Sequence, residues 1–115
     1  MSQHRKHRGY RSQKVVADRL RPAFPHAEPT GAGRQGSDIL GTVGIDWEIA
    51  ARRGFPVLEK MRQLAERKPG ESVIGVVVLR PDGMGETTVG NWPAIVTLDT
   101  MIWLLREAGY GNPNP

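Results

Sequence analysis

The stretch GSDILGTVGIDWEIAARRGF, residues 36 to 55, decides the fold. Two strand-like runs, Ser37 to Leu40 and Ile45 to Arg52, flank a spacer carrying Gly41 and Gly44. Short runs rich in apolar, β-branched and aromatic residues, bounded by glycine, predict two strands joined as a tight hairpin. Alternate side chains of a strand share a face, so Asp46, Glu48, Ala50 and Arg52 point one way, successive members about 6.5 Å apart. Asp38, on the first strand, can reach the same place.

Immediately upstream, GAGRQG (residues 31 to 36) has the G-x-G-x-x-G spacing of a dinucleotide-binding loop. That fingerprint works only after a buried strand and before a helix, whose N-terminus receives the pyrophosphate. His26 to Thr30 is polar and broken by proline, and Ser37 to Gly41 is too short to open a helix. The glycines therefore argue for no nucleotide cofactor. Further back, Val16, Leu20 and Ala23 recur at helical spacing, predicting a helix from Tyr10 to Arg21 that Pro22 and Pro25 end. Residues 1 to 8 read as a mobile basic arm, whose His4 and His7 are solvated or phosphate-contacting, and residues 25 to 36 as a loop or irregular edge strand.

Downstream, a helix from Pro56 to Lys68 carries an apolar stripe of Val57, Met61, Leu64 and Ala65. The run SVIGVVVL, Ser72 to Leu79, is nearly all apolar, the signature of a strand covered on both faces. Arg80 to Gly83 reads as a turn with proline at its second position. Ala94 to Leu98 is another strand, and Asp99 caps a last helix from Thr100 to Ala108. Residues 110 to 115 form a flexible tail. The order predicts an α/β fold, a small mixed β-sheet flanked by helices, in one domain spanning 1–115. The segment Met101 to Leu105 is apolar on every side, which calls for burial within its own core or against a partner subunit.

With 115 residues the chain is one domain by size. It has no cysteine, hence no disulfide framework and no thiolate zinc site. No apolar run approaches the roughly 20 residues needed to cross a bilayer, and the N-terminus is too charged for a signal peptide, which fits the cytoplasm. The formal net charge is +4, with an excess of Lys and Arg from Arg5 to Arg21 against the acid Asp18. Basic charge continues at Arg34, Arg52 and Arg53, pointing to a polyanion such as nucleic acid. Two carboxylates beside such residues are the oxygen ligands Mg²⁺ prefers, and Mg²⁺ can orient a phosphodiester and activate water. Taken without context, the same acids also fit the wet face of a hairpin.

The 36–55 run resembles the active-site hairpin of PD-(D/E)xK nucleases, in which an Asp ends one strand and Glu-x-Lys lies on the next. The likeness is greatest to Holliday-junction resolvases of phage and archaeal type. The ordered set that carries it is a basic helix from Gly9 to Leu20, the approach TGAGRQGSD (Thr30 to Asp38), the acidic strand Gly44 to Arg53, and the Arg-Gln helix segment Met61 to Leu64. VVVLRPDG and VGNWPAIVTLD extend it over most of the chain. The resemblance implies a restriction-endonuclease-like core and a Mg²⁺-dependent endonuclease that cuts branched, four-way DNA as a homodimer, in a host cytoplasm if phage-encoded; Mn²⁺ should substitute. Asp38 and Glu48 would hold the metal. Gln13 falls where relatives carry a first-helix acid, and Ala50 falls where they carry the catalytic lysine. That departure implies an impaired form, either natural or a lysine-to-alanine substitution, with Arg52 on the same face. Arg8, Arg11, Lys14, Arg34, Arg52, Arg53 and Gln63 would contact DNA, and the glycines would let the chain approach its backbone. A nick or flap endonuclease, or a DNA-binding module without catalysis, remain alternatives.

Overall fold

Residues 3 to 8 lack apolar periodicity, but no glycine or proline interrupts them, and Gln, Arg and Lys are good helix formers. In a computed structural model, which describes residues 3–31, 36–51, 57–67 and 73–111, helix α1 accordingly spans Gln3–Leu20. It starts well before Tyr10, so the segment expected as an arm forms the first turns of the helix. Pro22 stops it as expected, and the Phe24 N–H closes the last turn on the Leu20 carbonyl at 2.7 Å.

Strand β1 (Glu28–Pro29) pairs antiparallel with β2 (Ile39–Leu40). On either side of the glycine-rich stretch, whose residues 32–35 lie outside the described residues, the Thr30 N–H donates to the Asp38 carbonyl at 3.0 Å. A strand, not a helix, follows this loop, so the helix N-terminus that a pyrophosphate needs is not built here. Gly41 is obligatory: its φ is +83°, and an added Cβ would lie 2.0 Å from the His26 carbonyl oxygen.

Strand β3 (Ile45–Ala50), helix α2 (Val57–Arg67) and strand β4 (Ile74–Leu79) form a parallel β-α-β unit. β4 is central, with β3 on one side and the short antiparallel strand β5 (Ala94–Ile95) on the other. Its apolar run is covered on both faces, as expected. On one face Val76 and Val78 join Trp47, Ile39, Ala27, Trp92 and the α1 residues Val16 and Ala17. On the other, Val77 meets Ala50 and Leu64 of α2, with Met61, Leu79 and Ile95 around them. The period-2 alternation of β3 thus sends Trp47 towards α1 and Ala50 towards α2. The small mixed sheet flanked by helices is the architecture the sequence predicts.

Several details differ from expectation, among them the last strand, which ends at Ile95 with Leu98 already in the final helix. β2 and β3 do not ladder as a hairpin; they belong to different sheets. The turn after β4 starts at Pro81, whose carbonyl accepts from the Met84 N–H at 3.2 Å, because Gly83 with φ +83° takes the third position. The cap of helix α3 (Leu98–Glu107) is Thr97, whose hydroxyl accepts from the Thr100 N–H at 3.2 Å. Asp99 lies inside the first turn, where its charge complements the helix dipole. A short 3-10 helix over Glu86–Asn91 was not foreseen. Arg80 ties these parts together: it donates to the buried Ser12 hydroxyl at 3.0 Å and lies 5.4 Å over the Trp92 ring.

Candidate active site

The outer edge of β3, away from β4, would present unpaired backbone groups. Among the described residues no strand covers it; residues 37 and 38 do. The Asp38 N–H donates to the Trp47 carbonyl at 2.9 Å, and the Trp47 N–H donates to the Ser37 hydroxyl at 2.9 Å. The Ile49 N–H donates to the Asp38 carboxylate at 2.8 Å. Ser37 and Asp38 therefore replace a ladder with side-chain bonds, and this explains the missing hairpin. The same bonds fix the Asp38 carboxylate against the amide of the residue after Glu48.

Glu48 lies on the α2 face of β3, two residues from the buried Asp46. Its carboxylate is 3.8 Å from the Lys60 ammonium on α2, with the two side chains 18% and 24% exposed. Enough water is excluded for this pair to matter more than a surface ion pair. Lys60 reaches it because residues 57, 60, 61 and 64 are neighbours on the inner face of α2. Lysine within an apolar stripe was the available signal in the sequence, and stripe analysis based on apolar residues alone passes over it.

The side-chain oxygen of Gln13, on α1, accepts from the Gly31 N–H at 3.3 Å, one residue from Thr30, whose N–H bonds the Asp38 carbonyl. Ala50 shares the face of Glu48 as expected, but its side chain is fully buried among Leu64, Val77 and their neighbours. A lysine there would have to displace those apolar side chains, so position 50 has the packing of a core alanine rather than of an emptied polar site. Arg11 and Lys14 are exposed on the outer side of α1, and Arg11 pairs with Glu86 at 3.0 Å. Gln63 lies on the exposed side of α2 and donates to Glu59 at 3.4 Å. Arg34, Arg52, Arg53 and the side chain of Arg8 lie outside the described residues.

Asp38 and Glu48 offer only oxygen ligands on two adjoining sides of one strand. This donor set suits a hard cation that keeps several waters and takes one or two carboxylates from the protein. Among the described residues, no three His, Asp or Glu side chains gather into a fuller metal cage.

Helix α3, apolar in sequence, is exposed in the structure. None of its residues is buried; Leu98, Ile102 and Trp103 are 74%, 47% and 51% exposed. Among the described residues, neither core cluster includes a residue of α3. No helix among the described residues is long and apolar enough to cross a membrane. Comparison with protein-family models, curated proteins and solved structures gives no match.

Proposed function

We propose that this protein is a Mg²⁺-dependent, structure-specific DNA endonuclease that resolves four-way junctions as a homodimer, on a PD-(D/E)xK-type core. The observation that carries the reading is the pairing of Asp38 with β3. Its carboxylate accepts from the Ile49 amide beside Glu48, so two acids far from contiguous in sequence flank one strand position. Gln13 is tied to Gly31, next to the residue whose N–H pairs with the Asp38 carbonyl.

Asp38 and Glu48 would hold Mg²⁺, which supplies Lewis-acid stabilisation of the phosphate and a more acidic water when bound. The chain's residues do the rest. The Ser37 hydroxyl, the Asp38 carboxylate and the Asp38 N–H, each bonded to the β3 backbone, would hold the acidic edge in place. The Gln13 amide, beside Gly31, can orient a water there. Arg11 and Lys14 on the outer side of α1 attract the backbone of an approaching duplex, with a salt dependence of about −0.9 in log-log slope per phosphate neutralised. A single such site cuts one strand. Paired cuts across a two-fold junction need two sites related by a two-fold axis, and the exposed apolar α3 is the surface available for that pairing.

The test is cleavage of a labelled four-way junction beside linear duplex, nicked and flapped DNA, with and without Mg²⁺. Symmetric, metal-dependent cuts on the junction support the reading. Cuts confined to nicked or flapped DNA transfer it to that class of nuclease. Binding with no cutting in Mg²⁺ or Mn²⁺ leaves a DNA-binding module.

A further inference from the structure

Among the described side chains, the inner face of α2 carries one charge. Val57, Met61 and Leu64 lie on the side facing the sheet, and Lys60 occupies the position between them. An ammonium there costs desolvation that an apolar residue would avoid, and the structure compensates it by placing Glu48 3.8 Å away. The side chains are 24% and 18% exposed, so both groups keep some contact with solvent. The same strand carries alanine, fully buried, two residues on.

We infer that Lys60 is a catalytic residue of this site, delivering from α2 the positive charge that position 50 of β3 cannot hold. The inference rests on the nuclease reading above. In phosphodiester hydrolysis a water oxygen forms a new P–O bond and the bridging P–O bond to the leaving oxygen breaks. The water gives up a proton to solvent, the leaving oxygen takes one up from solvent, and no further reactant is consumed. Negative charge grows on the non-bridging oxygens along the way. An ammonium beside Glu48 donates to one of those oxygens when the phosphate lies against the acids, and a fixed donor of this kind is worth about 10²- to 10³-fold in rate. Before substrate arrives, Lys60 serves as counter-ion to Glu48 and so competes with a divalent cation for that carboxylate.

These two roles make opposite demands on one substitution. Lys60→Gln should slow single-turnover junction cleavage by about 10²-fold or more. The same variant should bind Mn²⁺, measured by calorimetry without DNA, at least as tightly as the wild type. Lys60→Arg, which keeps a charge, should recover at least about tenfold of the lost rate. Lys60→Met, which preserves the apolar stem in the stripe, should match Lys60→Gln and guards against a folding defect in the latter. A wild type that cuts and variants that cut within about threefold of it overturn the role of Lys60 while the nuclease reading stands. Slow cleavage accompanied by equally weakened Mn²⁺ binding also overturns it, since Lys60 would then merely hold Glu48 in place. A wild type that neither cuts nor binds Mn²⁺ removes the nuclease reading and this inference with it.

Discussion

Replacing Ala50 by lysine, which makes the Glu-x-Lys pattern complete on paper, is expected to destabilise the protein. The Ala50 side chain is wholly inaccessible, with Leu64 and Val77 against it and Met61, Leu79 and Ile95 behind. Four added carbons and a nitrogen overfill that cluster at a cost of about 1–3 kcal/mol. The ammonium adds a second term. If it stays buried it loses its proton, and neutralising a group of ordinary pKa about 10.4 at pH 7 costs at most about 4.6 kcal/mol, or 3.4 units at 1.36 kcal/mol each. Escape along the strand towards Glu48 brings it to the ammonium of Lys60, a like charge. Urea denaturation at pH 7 should therefore show a loss of about 3 kcal/mol or more, a large part of the usual 5–15 kcal/mol of a small domain. The pH dependence gives the cause. A lysine with a depressed folded pKa binds fewer protons in the native than in the unfolded state, so stability rises with pH. The deficit should shrink by up to about 2.7 kcal/mol between pH 7 and pH 9. An Ala50→Lys protein as stable as the wild type at both pH values, and cutting junctions faster, would refute this reasoning and identify position 50 as an emptied lysine site.

Other substitutions separate structural from chemical roles. Gly41→Ala places a Cβ against the His26 carbonyl in a left-handed backbone and should cost about 2 kcal/mol or more, visible as a drop of roughly 10 °C in Tm. Asp38→Asn keeps an oxygen for the Ile49 N–H and should unfold at nearly the wild-type midpoint while losing Mg²⁺ binding by calorimetry; Asp38→Ala leaves that amide without its acceptor and should lose about 1–3 kcal/mol as well. Trp103→Glu should abolish dimers in sedimentation while leaving the unfolding midpoint of the monomer unchanged, because Trp103 is already half exposed. The hydrogen bond from Arg62, and after it the Arg62 charge, hold the Glu59 carboxyl below its ordinary range. Its small, salt-screened contribution should be present above the ordinary carboxylate pKa and fade as pH falls through the lowered one, and an NMR titration of Arg62→Gln should show the Glu59 pKa rising again.

Much of the architecture was legible in the sequence because each element carries a strong local signal. The unbroken Val76-Val77-Val78 of β4 needs cover on both faces, and the Val57-Met61-Leu64 stripe gives α2 an inner side. The relation of residues 37–40 to β3 was not legible. Glycines at 41 and 44 suit a hairpin, and nothing local reveals that Ser37 and Asp38 bond the β3 edge through side chains while Ile39 and Leu40 turn to pair with β1. The acids were found by residue type and alternation. Lys60 was missed because lysine counts as polar in a stripe, although its place between Val57 and Leu64 is unusual for a solvated charge. For α3 the apolar composition was plain, but only three-dimensional placement shows that the chain's own core leaves it uncovered.

The carboxylate that closes the β3 edge has one more consequence, for solubility. A bare parallel strand of sequence IDWEIA is a template on which another chain's strand could dock and start an aggregate. Ser37 and Asp38 occupy its outward N–H and C=O groups at Trp47 and Ile49. Asp38, proposed above as a metal ligand, is thus also a guard against intermolecular strand addition. Selection on Asp38 would then act whether or not the protein is a nuclease, and persistence of this aspartate alone would not be a sign of catalysis.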